Sequence, residues 1–119
     1  MRQKQLVKLL FKHGANIILG SHPHVLQPLS TRGKKQFVIY SLGNFISTKL
    51  KKIPYTQSSI ILNINVQKNE EGKISIKGIH YIPTLVHRKL ENGRNKTTEV
   101  IPIREALSEN NSKIKRKTG

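Results

Sequence analysis

The sequence contains no cysteine and no aspartate, and only 5% of its residues are aromatic. The missing cysteine removes disulfides, thiolate metal ligands and thiol nucleophiles together, and leaves the redox compartment undetermined. The missing aspartate bears on metal chemistry, because hydrolytic metal centres draw negative charge and bridging oxygens from carboxylates. No run approaches the roughly 18–20 apolar residues of a membrane span. The opening Met1-Arg2-Gln3-Lys4-Gln5 lacks the apolar core and small-residue cleavage site of a signal peptide. With 119 residues, 35% of them hydrophobic, the chain can bury one modest core and not two independent ones.

What the chain has in excess is positive charge. Lys and Arg number 22 against six Glu, for a net charge of +16. Such an excess attracts any polyanion, whether nucleic acid, anionic lipid or acidic polymer. The basic residues are scattered from Arg2 to Lys117, with one short cluster at Lys113-Ile114-Lys115-Arg116-Lys117, and aromatics are not interleaved with them. That pattern argues against a specific nucleic-acid interface and reads most simply as a lysine-rich solvated surface.

Periodicity predicts alternating elements. Leu6, Val7, Leu9, Leu10 and Phe11 among Lys and Gln fit an amphipathic helix over residues 2–12, stopped by His13-Gly14. Ile17-Ile18-Leu19, apolar on both faces and closed by Gly20, reads as a strand buried in a layered α/β sheet. Gln36 to Tyr40 is a second strand, preceded by the turn-like Arg32-Gly33-Lys34-Lys35. Ser59 to Gln67 and Lys73 to Ile82 alternate as an antiparallel hairpin around Asn69-Glu70-Glu71-Gly72, with Pro83 expected to close the second strand. Thr97 to Ile101 suggests a further short strand and Arg104 to Glu109 a short helix. Residues 1–109 form one domain on this reading, and residues 110–119 a disordered basic tail. There is no internal repeat.

The strongest chemical signal is Gly20-Ser21-His22-Pro23-His24, directly after the first strand. Two imidazoles one residue apart at a strand end can reach metal ions, with the proline stiffening the loop between them. Without carboxylates, the pair is half of a site. His13, His80 and His87 stand at a helix end, within a strand and in a following loop; each is expected to be solvated or satisfied in the core rather than a ligand.

The run Gly14-Ala15-Asn16-Ile17-Ile18-Leu19-Gly20-Ser21-His22-Pro23-His24-Val25-Leu26-Gln27-Pro28, followed by Val38-Ile39-Tyr40-Ser41-Leu42-Gly43-Asn44-Phe45-Ile46, closely resembles bacterial capsule-synthesis proteins of the CapA type. Tyr81 to Val86 and Val100 to Ile103 look like that family's closing strands, so the resemblance covers nearly the whole chain. It implies membership of the calcineurin-like metallophosphoesterase superfamily, and a fold that is the C-terminal portion of a layered α/β sandwich, buried strands followed by an antiparallel hairpin. It further implies that His22 and His24 are the last His-x-His ligands of a two-metal site for Mn, Fe or Zn, Ser21 standing where glycine is common. Gln27 and Asn44 are candidate cleft-lining residues; no residue is assigned a catalytic role.

The departures are as informative. The superfamily's Asp-x-His, bridging Asp, Asn-His pair and further His do not occur here, so the resemblance implies a domain whose N-terminal half is absent from this sequence. Met1 just inside a helix suggests a reading frame restarted at an internal methionine, and exposed sheet edges are expected to cause poor solubility or dimerisation. Two divalent ions held close together repel strongly without anionic ligands around them. The chain alone is therefore expected to be inactive and not to bind metal tightly, and to become a metallophosphoesterase-like hydrolase only when completed. The implied partners are poly-gamma-glutamate or another capsule polymer and other capsule-synthesis subunits, at the cell envelope. A second reading is a non-catalytic basic module that binds an acidic polymer; a third is a nucleic-acid binder.

Overall fold

The computed structural model describes residues 2–46, 57–105 and 107–108. The first element is helix α1 (Arg2–Lys12), which buries Val7 and Phe11, one helical turn apart. It ends in a Schellman motif: Gly14, at φ +101°, donates its N–H to the Phe11 carbonyl, and the Ala15 N–H reaches back to the Leu10 carbonyl. Leu6, Leu9 and Leu10 remain exposed, so the helix buries a narrower stripe than its leucine pattern implies.

A three-stranded mixed sheet follows, in the order β1 (Ile17–Leu19), β3 (Gln36–Ile39), β2 (Leu29–Arg32). β1 pairs with β3 in parallel, Ile17 opposite Phe37 and Leu19 opposite Ile39, while β2 pairs with β3 antiparallel. The period of two in β3 separates two cores. Val38 faces α1 and joins Val7 and Phe11; Phe37 and Ile39 face the other way and pack with Ile60. β3 is thus covered on both faces, with Phe37 fully buried and Ile39 nearly so.

The second sheet, order β4 (Ser58–Lys68), β5 (Ile74–Glu91), β6 (Arg94–Pro102), is antiparallel throughout. Leu62, Ile64, Ile76 and Ile79 complete the core around Phe37, Ile39 and Ile60. The layers are therefore helix, mixed sheet, antiparallel sheet. Among the described residues no helix is long and apolar enough to cross a membrane.

Several sequence expectations change. β2 was not anticipated: all four of its residues are exposed, so an edge strand here carries no hydrophobic alternation. β1 is an edge among the described residues, and Leu19 is exposed rather than buried. Pro83 does not close a strand; β5 runs through it to Glu91. The Val86 N–H bonds to Gln57, so the alternating amides of residues 82 and 84 point toward β4 and the Pro83 nitrogen toward the other side. There β6 stops at Pro102, the partner of Thr84, and no ladder donor is needed. The further strand expected at Thr97 to Ile101 is present and longer, as β6, because Asn92-Gly93, at φ +53° and +72°, makes a two-residue turn into it directly from β5. Residues 103–105 and 107–108 are helical, beginning one residue before the span expected for a final helix. Glu109 and the expected tail lie outside the described residues.

Truncating the residue that anchors the larger core, Phe37→Ala, is expected to cost about 3–5 kcal/mol. Leu9→Ala on the exposed helix face should change stability by less than about 0.5 kcal/mol. Urea denaturation of the two variants checks the layer assignment, and equal losses would contradict it.

Candidate functional site

Parallel pairing sends the C-terminal ends of β1 and β3 to the same edge of the sheet. The loop after β1 (residues 20–28) and the loop after β3 (residues 40–44) therefore emerge side by side, where open α/β sheets generally place their ligands. Backbone bonds join them. The Gly20 N–H donates to the Ile39 carbonyl (2.8 Å) and the Leu42 N–H to the Gly20 carbonyl (2.8 Å). The Gln27 N–H donates to Ser41 (3.0 Å) and the Tyr40 N–H to Pro28 (3.1 Å). The approach at Gly20 is so close that a Cβ there would lie 2.1 Å from the Tyr40 carbonyl oxygen.

The second loop is in turn fixed to the antiparallel sheet. Gly43 bridges to Ser59, and the Ser59 hydroxyl donates to the Leu42 carbonyl at 2.7 Å. Gly43, at φ +75°, has no room for a side chain, since a Cβ would meet the Ser58 carbonyl oxygen at 2.5 Å. Buried Ser41 accepts a hydrogen bond from the Gly43 N–H through its Oγ. These residues hold the site's shape.

The two histidines are presented from this frame. Pro23, at the third position of a tight turn, fixes its own φ and stiffens the loop between the two rings. His24 closes a tight turn with its N–H on the Ser21 carbonyl (3.1 Å) and adopts φ +60°, a left-handed conformation uncommon for a residue with a side chain. Both residues are exposed, and their ring centroids are 6.1 Å apart with a 46° tilt. His24 Nδ1 lies 2.8 Å from Oδ1 of buried Asn44. An amide oxygen only accepts, so a neutral His24 ring that makes this bond donates from Nδ1 and keeps its acceptor nitrogen at Nε2. This is the usual device by which a partner group sets the tautomer of a ligating imidazole.

His22 borders an apolar recess formed with Leu6, Leu10, Ile18 and Pro23. Gln27 turns away from the histidines: its Oε1 accepts from Gln3 Nε2 on α1 at 3.2 Å. Among the other histidines, His13 stands at the helix end, His80 opposite Asn63 and His87 opposite Glu99. No acidic residue occurs before Glu70. Among the described residues no group of three or more His, Asp or Glu is placed to hold a metal ion. The donor set at the loop is thus two imidazoles, suited to a borderline divalent metal but lacking the carboxylates a paired-metal centre requires.

Residues 1–49 match the model of the family described as bacterial capsule synthesis protein PGA_cap. Over 78 residues, 66% of this chain and 20% of the relative, the sequence is 35% identical to the PGA biosynthesis protein CapA of Bacillus subtilis (strain 168). Over 45 residues it is 49% identical to the capsule biosynthesis protein CapA of Bacillus anthracis, covering 38% of this chain and 11% of the relative. Over these residues the chain is similar to the CapA-type capsule synthesis proteins. Its matches span about a fifth or less of the length of these curated relatives. No solved structure matches the chain. The CapA family match takes in both loops, from α1 through Asn44.

If Asn44 sets the His24 tautomer, Asn44→Ala should release it. Long-range ¹H–¹⁵N correlation spectra at a pH where the ring is neutral are expected to show His24 protonated on Nδ1 in the parent chain. The variant should shift toward the Nε2-protonated form; an unchanged spectrum would remove the Asn44 contact from the site.

Proposed function

We propose that this chain supplies the closing part of a CapA-type protein acting in capsule assembly, with poly-gamma-glutamate as the associated polymer. In this reading His22 and His24 are the last metal ligands of a two-metal phosphoesterase-like site. The observation that carries it is the His24–Asn44 contact, which joins two separate family motifs and leaves one imidazole nitrogen available at the surface. A bound divalent ion of the Mn, Fe or Zn type would supply Lewis acidity and a nucleophilic water near neutral pH. The chain's own contribution is positional: Pro23 stiffens the loop, Asn44 sets one ring, and the Gly20 and Gly43 contacts hold both loops at one edge.

The carboxylate ligands would come from further CapA-type sequence, because the donors gathered at this loop carry no negative charge. Two neutral imidazoles do not offset the repulsion between two divalent ions. This favours a hydrolase that works only when completed, over one that works on these residues alone. The capsule names of the relatives also support a cell-envelope setting and capsule-synthesis partners for the complete protein.

Equilibrium dialysis of the purified chain against Mn, Fe and Zn, followed by elemental analysis, provides the test. Weak binding that falls at least tenfold in His22→Ala/His24→Ala is expected, with no metal-dependent turnover of a model phosphodiester. Binding unaffected by the double variant would overturn the ligand assignment. Turnover by the parent chain that disappears in the variant would overturn its dependence on further sequence.

A further inference from the structure

We propose that the end of the mixed sheet opposite the histidine loop is a docking surface for a linear polycarboxylate. The turn between β2 and β3 carries Arg32, Lys34 and Lys35, all exposed. Its three-residue loop is anchored on both sides. Asn16 Nδ2 donates to the Lys35 carbonyl (3.0 Å), tying it to the segment after α1, and the Ile76 N–H donates to the Lys34 carbonyl (2.6 Å), tying it to β5. With the Arg32–Phe11 contact, these bonds put the helix end that bears Lys12 and His13, and the part of β5 that bears Lys77, at the same end of the sheet as the turn, each of the three side chains exposed. The Arg32 guanidinium is held in place over the Phe11 ring, 5.4 Å from its centroid.

This charge is not neutralised locally. The elements bearing Lys12, Arg32, Lys34 and Lys35 lie in a sequence that has no acidic residue before Glu70. Glu71, in the turn between β4 and β5, is paired with Lys73 at 3.4 Å. None of the six basic side chains in the patch has a carboxylate partner among the described residues. The negative end of the α1 dipole, about half an elementary charge, offsets only a small part of the field.

The chemistry of the patch selects among polyanions. Phe11 is buried and the patch exposes no Phe, Tyr or Trp side chain, so bases would find only the single His13 ring to stack on. Four of the five Lys and Arg are lysines, compact point charges without the fork that favours bidentate phosphate. A flexible chain of spaced carboxylates fits such a surface, and the choice of glutamate polymer rests on the capsule reading above. The four residues of β3 separate this patch from the histidine loop by about 13 Å, so a polymer held here could extend toward that loop.

The test is anisotropy of a fluorescein-labelled glutamate oligomer titrated with the whole chain, with EDTA present so that metal binding at His22 and His24 plays no part. Arg32→Gln/Lys34→Gln/Lys35→Gln is expected to weaken binding roughly tenfold or more and to flatten its salt dependence. Lys34→Gln/Lys35→Gln, which spares the Phe11 contact, should show a smaller loss in the same direction with unchanged circular dichroism. Arg2→Gln/Lys4→Gln/Arg94→Gln removes equal charge elsewhere and should change affinity less than about twofold. Equal weakening by the two triple variants, or no binding by the parent chain, would overturn the proposal. Stronger competition from a single-stranded oligonucleotide of equal charge would overturn it in favour of nucleic acid.

Discussion

The parallel pairing of β1 with β3 is the constraint on which the rest depends. An antiparallel arrangement would send the two following loops to opposite ends of the sheet, and His24 could not meet Asn44. Parallel strands instead point both loops the same way, and the register Ile17–Phe37, Ile18–Val38, Leu19–Ile39 brings Gly20 against Tyr40. The same pairing gives the sheet two usable faces. Val38 and Ile18 turn to the helix, Phe37, Ile39 and Ile17 to the antiparallel sheet, and a short strand becomes the centre of a three-layer structure.

Small residues convert that pairing into a site. Gly20 and Gly43 stand where neighbouring carbonyl oxygens leave no room for a Cβ, and Ser41 and Ser59 satisfy backbone groups that burial would otherwise leave unpaired. The exposed histidines are thus mounted on a frame whose polar groups are paired backbone to backbone. His24 keeps an uncommon left-handed conformation within it, and residues held that way concentrate where function requires a set side-chain direction. The frame belongs to this chain; the charge that would complete a metal centre does not.

Charge divides the chain in a related way. With acidic residues confined to Glu70 and beyond, the helix and the mixed sheet form a cationic unit, while the carboxylates belong to the antiparallel sheet, its turns and the segments after it. One consequence is the carboxylate-free histidine loop. The other is the unpaired basic surface at the far end of the sheet. Both follow from one compositional fact distributed over a two-ended sheet.

Much of this was legible in the sequence because the signals are local. The helix Arg2–Lys12 and its glycine stop, the strand Ile17–Leu19 and the alternation around Asn69-Glu70-Glu71-Gly72 each follow from periodicity or turn chemistry within a few residues. The histidine pair and the family resemblance were equally visible, as was the missing aspartate. Asn92-Gly93 was also a visible turn signal, obscured by assigning Pro83 to a strand end; proline is acceptable there only because β6 stops opposite Thr84, a fact of register. Edge strand β2, with every residue exposed, had no pattern to find. The sequence by itself determined that two imidazoles share one loop and that no carboxylate precedes Glu70. The tertiary structure decided that His24 faces Asn44 while Gln27 faces α1, because side-chain neighbours across 20 or more residues are set by strand direction and register and leave no local trace.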